Sequence, residues 1–153
     1  MKTFIASGFG AGLLWKSIFA DKKGGGTFAS LIFVLVVYLL QLPTIWLLFV
    51  FIFLTIVYFI SVDEESAKDD PSWITLDEIV GMSLASLASP SELLPLLAGF
   101  LIFRASDILK VPSIVAKMEN LPGKKGVLYD DLAAGAFGLL GATIVSQFMN
   151  LSL

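Results

Sequence analysis

From residue 28 onward, long apolar runs alternate with short polar interruptions, and the runs are too long for strands. Phe28 to Gln41 reads as a first membrane helix, apolar without a break from Leu31 to Leu40. Pro43 marks a tight turn, since proline is poorly tolerated inside a helix. Leu42 to Ile60 is the clearest span. At about 1.5 Å per residue it rises roughly 28 Å, close to a bilayer core of about 30 Å. Ser61 to Pro71 is a polar loop with Asp63-Glu64-Glu65, Lys68 and Asp69-Asp70, read as solvated. Ser72 to Ser89 is a third helix, and Leu93 to Lys110 a fourth beyond the turn Ser89-Pro90-Ser91-Glu92. Both are short for full spans, so tilt or burial within a bundle is expected. Val111 to Tyr129 reads as a loop with Pro112, Pro122, Gly123 and Gly126. Leu132 to Leu151 is the last helix, and Ala134, Gly138 and Ala142 give it one face of small residues for close packing. Residues 1–27 form a short Gly-rich N-terminal segment whose start is a poor signal-peptide core. The predicted fold is all-α: an integral membrane helical bundle of about four to five membrane helices, with residues 1–153 in one domain.

Composition supports a bilayer solvent. The chain is 57% hydrophobic and 15% charged, and its mean hydropathy is +0.89. Soluble domains are nearer 45–50% apolar and about 25% charged. The net charge of −3 is too small to argue for nucleic acid. The sequence has no Cys and no His. Disulfides, thiolate chemistry, imidazole bases and His-bound zinc are therefore excluded. Any catalysis must use carboxylates, Lys, hydroxyls or a metal held by oxygen.

Counting passes places the charges. With helices one and two going out and back, and three and four doing the same, segments 1–27, 61–78 and 104–131 share one side. All ten Lys and Arg residues fall in them, and the turns around Pro43 and Pro90 have none. The positive-inside rule assigns that side to the cytoplasm. Trp15 and Trp73 fit the inner interface and Trp46 the outer one.

Acids beside a bilayer are costly and mark candidate sites. Thr75-Leu76-Asp77-Glu78 fits a capping box, a reading compatible with metal binding by Asp77. Arg104, Asp107 and Lys110 are spaced three apart and form a cation–acid–cation strip. The strip suits either an interfacial ion-pair row or a phosphate clamp with a metal ligand. Asp130-Asp131 opens the last helix after Gly123-Lys124-Lys125-Gly126; one acid would suffice for a cap. The two lysines also suit a lipid surface. The N-terminal glycines permit backbone N–H approach to a phosphate, or simply helix-entry freedom. Together these groups suit Mg²⁺, which prefers oxygen ligands, waters and substrate phosphate.

Four stretches resemble the phosphatidylglycerophosphatase A proteins of bacterial membranes. They are Gly8-Phe9-Gly10-Ala11-Gly12-Leu13 with Gly26-Thr27 through Ser30; Asp77-Glu78-Ile79-Val80-Gly81-Met82; Phe103-Arg104 through Asp107 and Lys110; and Gly126-Val127-Leu128-Tyr129-Asp130-Asp131-Leu132-Ala133-Ala134-Gly135. The resemblance implies a Mg²⁺-dependent phosphatase of the bacterial cytoplasmic (inner) membrane, multi-pass, with its active face cytoplasmic. Its substrate would be phosphatidylglycerophosphate and its products phosphatidylglycerol and phosphate. The resemblance also implies the metal set Asp77, Glu78, Asp107, Asp130 and Asp131, with Asp77, Asp107 and Asp131 catalytic. Lys16, Thr27, Arg104 and Lys110 would meet the substrate phosphate. The chain departs from the family pattern at Gly25-Gly26-Thr27, where Pro-Gly-Thr is usual, and at Lys110-Val111-Pro112-Ser113, where Lys-Pro-Trp-Pro is common. It also lacks a His often found before Asp77. These departures leave room for another lipid phosphate as substrate. The alternatives to an enzyme of this kind are a divalent-cation carrier or a membrane assembly subunit. A two-metal head-group transferase lacks its spaced Asp pattern here.

Overall fold

The computed structural model describes residues 1–20, 22–67, 71–88 and 90–151, and no strand occurs among them. In chain order the helices are α1 (Lys2–Ala6), α2 (Ala11–Phe19), α3 (Gly25–Leu40), α4 (Thr44–Ser61), α5 (Glu64–Ala67) and α6 (Leu76–Ala85). A 3₁₀ turn (Ser86–Ala88) follows, then α7 (Leu93–Leu109), α8 (Ser113–Glu119) and α9 (Lys124–Leu151). The all-α expectation holds. Lys68, Asp69, Asp70 and Ser89, which the sequence reading placed in loop and turn, lie outside the described residues.

α9 is the central post and packs mainly against α6 and α7. The predicted small-residue face is the one it buries: Ala134, Gly138 and Ala142 are all buried. A Cβ at Gly135 would strike the backbone carbonyl of Gly81, and one at Gly138 would come 2.8 Å from the carbonyl oxygen of Gly99. Such close approach brings backbones within van der Waals range, which is how helices associate where lipid weakens the hydrophobic drive.

α3 and α4 behave differently. α4 is apolar all round, yet only Leu47, Leu54, Tyr58 and Ser61 are buried. Its outward Phe49, Ile52, Phe53, Ile56 and Ile60 are exposed, as are Leu35 and Leu39 of α3. A wall of this kind suits lipid contact rather than water. Two helices, α4 and α9, are long and apolar enough to cross a bilayer by length and composition. α3 is apolar but shorter, at 16 residues. The structure thus gives two such helices where about four to five were expected: α6 has only 10 residues and is nearly all buried, and α7, at 17, buries one face and exposes Leu94, Leu101, Ile108 and Leu109 on the other.

Three local expectations need correction. α6 ends at Ala85 and gives way to the 3₁₀ turn, so the third helix is shorter than Ser72 to Ser89. The stretch from Val111 to Tyr129 is not a plain loop, since it contains α8 and the first turn of α9. The last helix therefore starts at Lys124, not Leu132. Its start is fixed from outside: Glu64 Oε2 accepts the backbone N–H of Lys124 at 3.0 Å. The Lys124 ammonium donates to the carbonyls of Phe59 at 2.8 Å and Val62 at 3.1 Å, where α4 ends. A cation at a helix C-terminus satisfies otherwise orphaned carbonyls. Lys124 is thus turned inward, whereas Lys125 is exposed.

Candidate active site

One cleft of about 1010 Å³ collects side chains from all three polar segments. The N-terminal segment supplies Lys16, Lys23 and Gly24 to Thr27. The start of α6 supplies Asp77 and Glu78, α7 supplies Arg104 and Asp107, and Lys110 follows at its end. α9 supplies Asp130 and Asp131. The five candidate metal acids and Lys16, Thr27, Arg104 and Lys110 therefore line a single cavity, with Gly24 to Gly26 beside them, whereas Gly8, Gly10 and Gly12 are not among its lining residues.

Each position has a local cause. Thr75 is the N-cap residue of α6 but makes no side-chain capping bond, so the expected capping box does not form. Asp77 and Glu78 still occupy the first turn, where the helix dipole favours acids. The segment is held by the N-terminal helices, with the Thr75 N–H donating to the carbonyl of Ala6 at 3.1 Å. Gly26, in the first turn of α3, lies so close to Glu78 that a Cβ would overlap its carboxylate. Arg104 and Asp107 share one face of α7, a turn apart. Asp130 and Asp131 sit almost two turns inside α9, not at its start. Capping therefore explains neither member of that pair.

Burial sharpens the electrostatics. Asp77 is 3% exposed and Asp131 4%. One carboxylate oxygen from each of Asp77, Glu78 and Asp131 lies within 4.8 Å of the others. Like charges so close, out of bulk water, repel strongly unless a cation lies among them. Oxygen ligands around Mg²⁺ are separated by about 3–4 Å, from metal–oxygen distances of about 2.0–2.1 Å. The trio is near that span. Asp131 Oδ1 is buried and has no hydrogen-bond partner, so one donor atom of the set is already unspent. Among the described residues, six acids and four bases line the cleft, an excess that a divalent cation would cancel. The residues present fit Mg²⁺.

Asp107 and Asp130 are placed otherwise. Lys110 Nζ donates to Asp107 Oδ1 at 3.1 Å and also to Asp130 Oδ2. Arg104 Nη1 lies 2.9 Å from Asp107 Oδ2 as an ion pair. Asp130 Oδ1 accepts the backbone N–H of Asp131 at 2.9 Å. Burial by itself would make the Lys110 ammonium easier to deprotonate, but the bonds and charges of Asp130 and Asp107 outweigh it. The two carboxylates thus push its pKa above the ordinary lysine value, favouring the charged form. Arg104 is buried, and its Nε has no hydrogen-bond partner.

Lys23 and Glu119 also line the cleft and were not singled out, and Trp73, read only as an interface residue, lines it as well. Glu119 comes from α8, which the prolines and glycines around it disguised as loop; its carboxylate lies 3.8 Å from Lys110 Nζ.

An apolar helical scaffold with an acid-rich, cation-lined cleft belongs, by comparison with known proteins, among the phosphatases. The phosphatidylglycerophosphatase A family model matches residues 4–146, and the chain belongs to that family. A protein of Bacteroides thetaiotaomicron named "Putative phosphatidylinositol-3-phosphatase" is 34% identical over 148 residues, covering 92% of this chain and 90% of its own. No solved structure matches the chain.

Proposed function

We propose that this chain is a Mg²⁺-dependent lipid phosphatase that hydrolyses phosphatidylglycerophosphate to phosphatidylglycerol and phosphate at the cytoplasmic face of the membrane. The observation that carries the reading is the juxtaposition of the Asp77, Glu78 and Asp131 oxygens with Arg104 and Lys110 in one cleft. The ion would be held by that trio, where it would supply Lewis-acid polarisation and a more acidic water. The phosphate monoester enters from the bilayer side with its acyl chains left in lipid. Arg104 and Lys110 would meet the phosphate oxygens, with Lys16 and Thr27 lining the same cleft. Water adds to phosphorus as the bond to the glycerol oxygen breaks. A cleft carboxylate takes the water proton, and the departing alkoxide is reprotonated from solvent.

A phosphate monoester on a lipid head group is also what the Bacteroides relative's name specifies, so substrate choice is tested directly. Purified protein is given phosphatidylglycerophosphate, phosphatidylinositol 3-phosphate and phosphatidic acid, each with Mg²⁺ and with chelator. Fastest Mg²⁺-dependent phosphate release from phosphatidylglycerophosphate is expected. Release from the inositol lipid alone would move the substrate assignment. No metal-dependent release from any of the three would end the phosphatase reading.

A further inference from the structure

The five acids read as ligands, Asp77, Glu78, Asp107, Asp130 and Asp131, are not equivalent. All four carboxylate oxygens of Asp107 and Asp130 face donors of the protein itself. Asp107 Oδ1 accepts from Lys110 and its Oδ2 is ion-paired with Arg104 Nη1 without a hydrogen bond; Asp130 accepts from Lys110 and from the Asp131 N–H. Asp131, the next residue, has a buried oxygen without a partner, and it belongs to the close trio with Asp77 and Glu78.

We infer that the cleft is divided into a metal-holding half, Asp77, Glu78 and Asp131, and a charge-balanced half in which Asp107 and Asp130 are positioning residues that hold Arg104 and Lys110 toward the phosphate and do not ligate the ion. The inference rests on the Mg²⁺-phosphatase reading and narrows its ligand set from five acids to three. Carboxylates with both oxygens engaged by cations or N–H groups would have to give up those contacts to bind a metal, leaving the buried Arg104 and the half-buried Lys110 without their counter-charges. Asp107 and Asp130 instead balance the two bases at close range, with the more exposed Glu119 carboxylate 3.8 Å from Lys110 Nζ. Arg104 keeps its Nε for a ligand, in the bidentate manner that suits phosphate. α9 carries one residue of each half side by side, since adjacent helix positions point about 100° apart.

The test uses Mn²⁺ as the probe ion, read by electron paramagnetic resonance on the full chain in lipid nanodiscs, with Mg²⁺ competition. Asp131→Asn is expected to weaken Mn²⁺ binding by about a hundredfold or more. Asp107→Asn alone removes a charge and shifts the local field, so it is paired with Lys110→Met to keep the net charge unchanged. The double variant Asp107→Asn/Lys110→Met is expected to bind Mn²⁺ within about threefold of the unaltered chain. With Mn²⁺ saturating, its KM for phosphatidylglycerophosphate should rise about tenfold or more, from loss of a charge-assisted phosphate contact. Asp130→Asn/Lys110→Met serves the same purpose should the first pair fail to fold. If these neutral pairs lose Mn²⁺ as Asp131→Asn does, Asp107 and Asp130 are ligands and the division is wrong, with the phosphatase reading intact. If the unaltered chain binds no Mn²⁺, the metal-dependent reading itself fails, along with the division.

Discussion

A methyl group added at Gly26 would overlap the Glu78 carboxylate, and the nearest relief is to push that side chain out of the trio. Gly26→Ala is therefore expected to act on the site more than on the fold. Overpacking costs of about 1–3 kcal/mol are usual in close-packed interiors. Here the yielding group is the end of a side chain, so the low end of that range is expected, measured by unfolding in detergent. Mn²⁺ affinity should fall about tenfold or more as Glu78 is displaced. Unchanged metal affinity in Gly26→Ala would remove Glu78 from the ligand set. The sequence identified these residues by type: acids beside a bilayer are expensive, and the lack of His and Cys restricted the ligands to oxygen. It did not divide them. Asp130 and Asp131 look alike in a string of letters, and their different partners depend on how α7 meets α9. The capping readings failed for a related reason, because Thr75 has the right spacing for a box but its side chain makes no capping bond.

The meeting of α6 and α9 decides whether Asp131 reaches Asp77, and glycine sets that distance. A Cβ at Gly135 meets the Gly81 backbone, and one at Gly81 lies 2.7 Å from the Asp131 carbonyl oxygen. Backbone cannot rotate away, so Gly135→Ala must separate the two helices. We expect a loss of about 1–3 kcal/mol in stability, with turnover falling about a hundredfold because a shift near 1 Å misplaces catalytic groups. Gly141→Ala is the control on the same helix. There the added methyl meets only the end of Ile102, an exposed and rotatable side chain, so both quantities should stay near those of the unaltered chain. Equal effects of the two substitutions, by thermal unfolding and phosphate release, would show that α6–α9 spacing does not control the site. The small face of α9 was legible from its period of four. The helix's true start was not, since Gly123 and Gly126 read as breakers. In the structure Gly123 takes the left-handed conformation just ahead of the helix, at φ 62°. Gly126 gives room where a Cβ would strike the Leu121 carbonyl. The cap that starts α9 comes from Glu64, about sixty residues away, and no local window contains it.

At the scale of the whole molecule, all ten Lys and Arg residues and every acid but Glu92 fall in the three segments 1–27, 61–78 and 104–131. The parity count predicted that segments 1–27, 61–78 and 104–131 lie together, and the cleft draws residues from all three. Parity needs only that the chain return to its starting side after each pair of helices, so it holds even where α6 and α7 do not span. Sequence alone does not separate the apolar residues of α6, nearly all of which are buried, from those of α7, which packs one face on α9 and leaves Leu94, Leu101, Ile108 and Leu109 exposed on the other. The side of the membrane is then a matter of labelling. The chain has no cysteine, so single-cysteine variants report without background. Lys125→Cys is placed near the cleft end and Ser91→Cys in the turn before α7, and both positions are exposed. A membrane-impermeant maleimide applied to intact cells should label Ser91→Cys, and should reach Lys125→Cys only after the inner membrane is opened. The reverse pattern would put the cleft on the outer face and overturn the positive-inside assignment. Labelling of both in intact cells would break the parity count, and with it the expectation that the lipid phosphate is met from the cytoplasm.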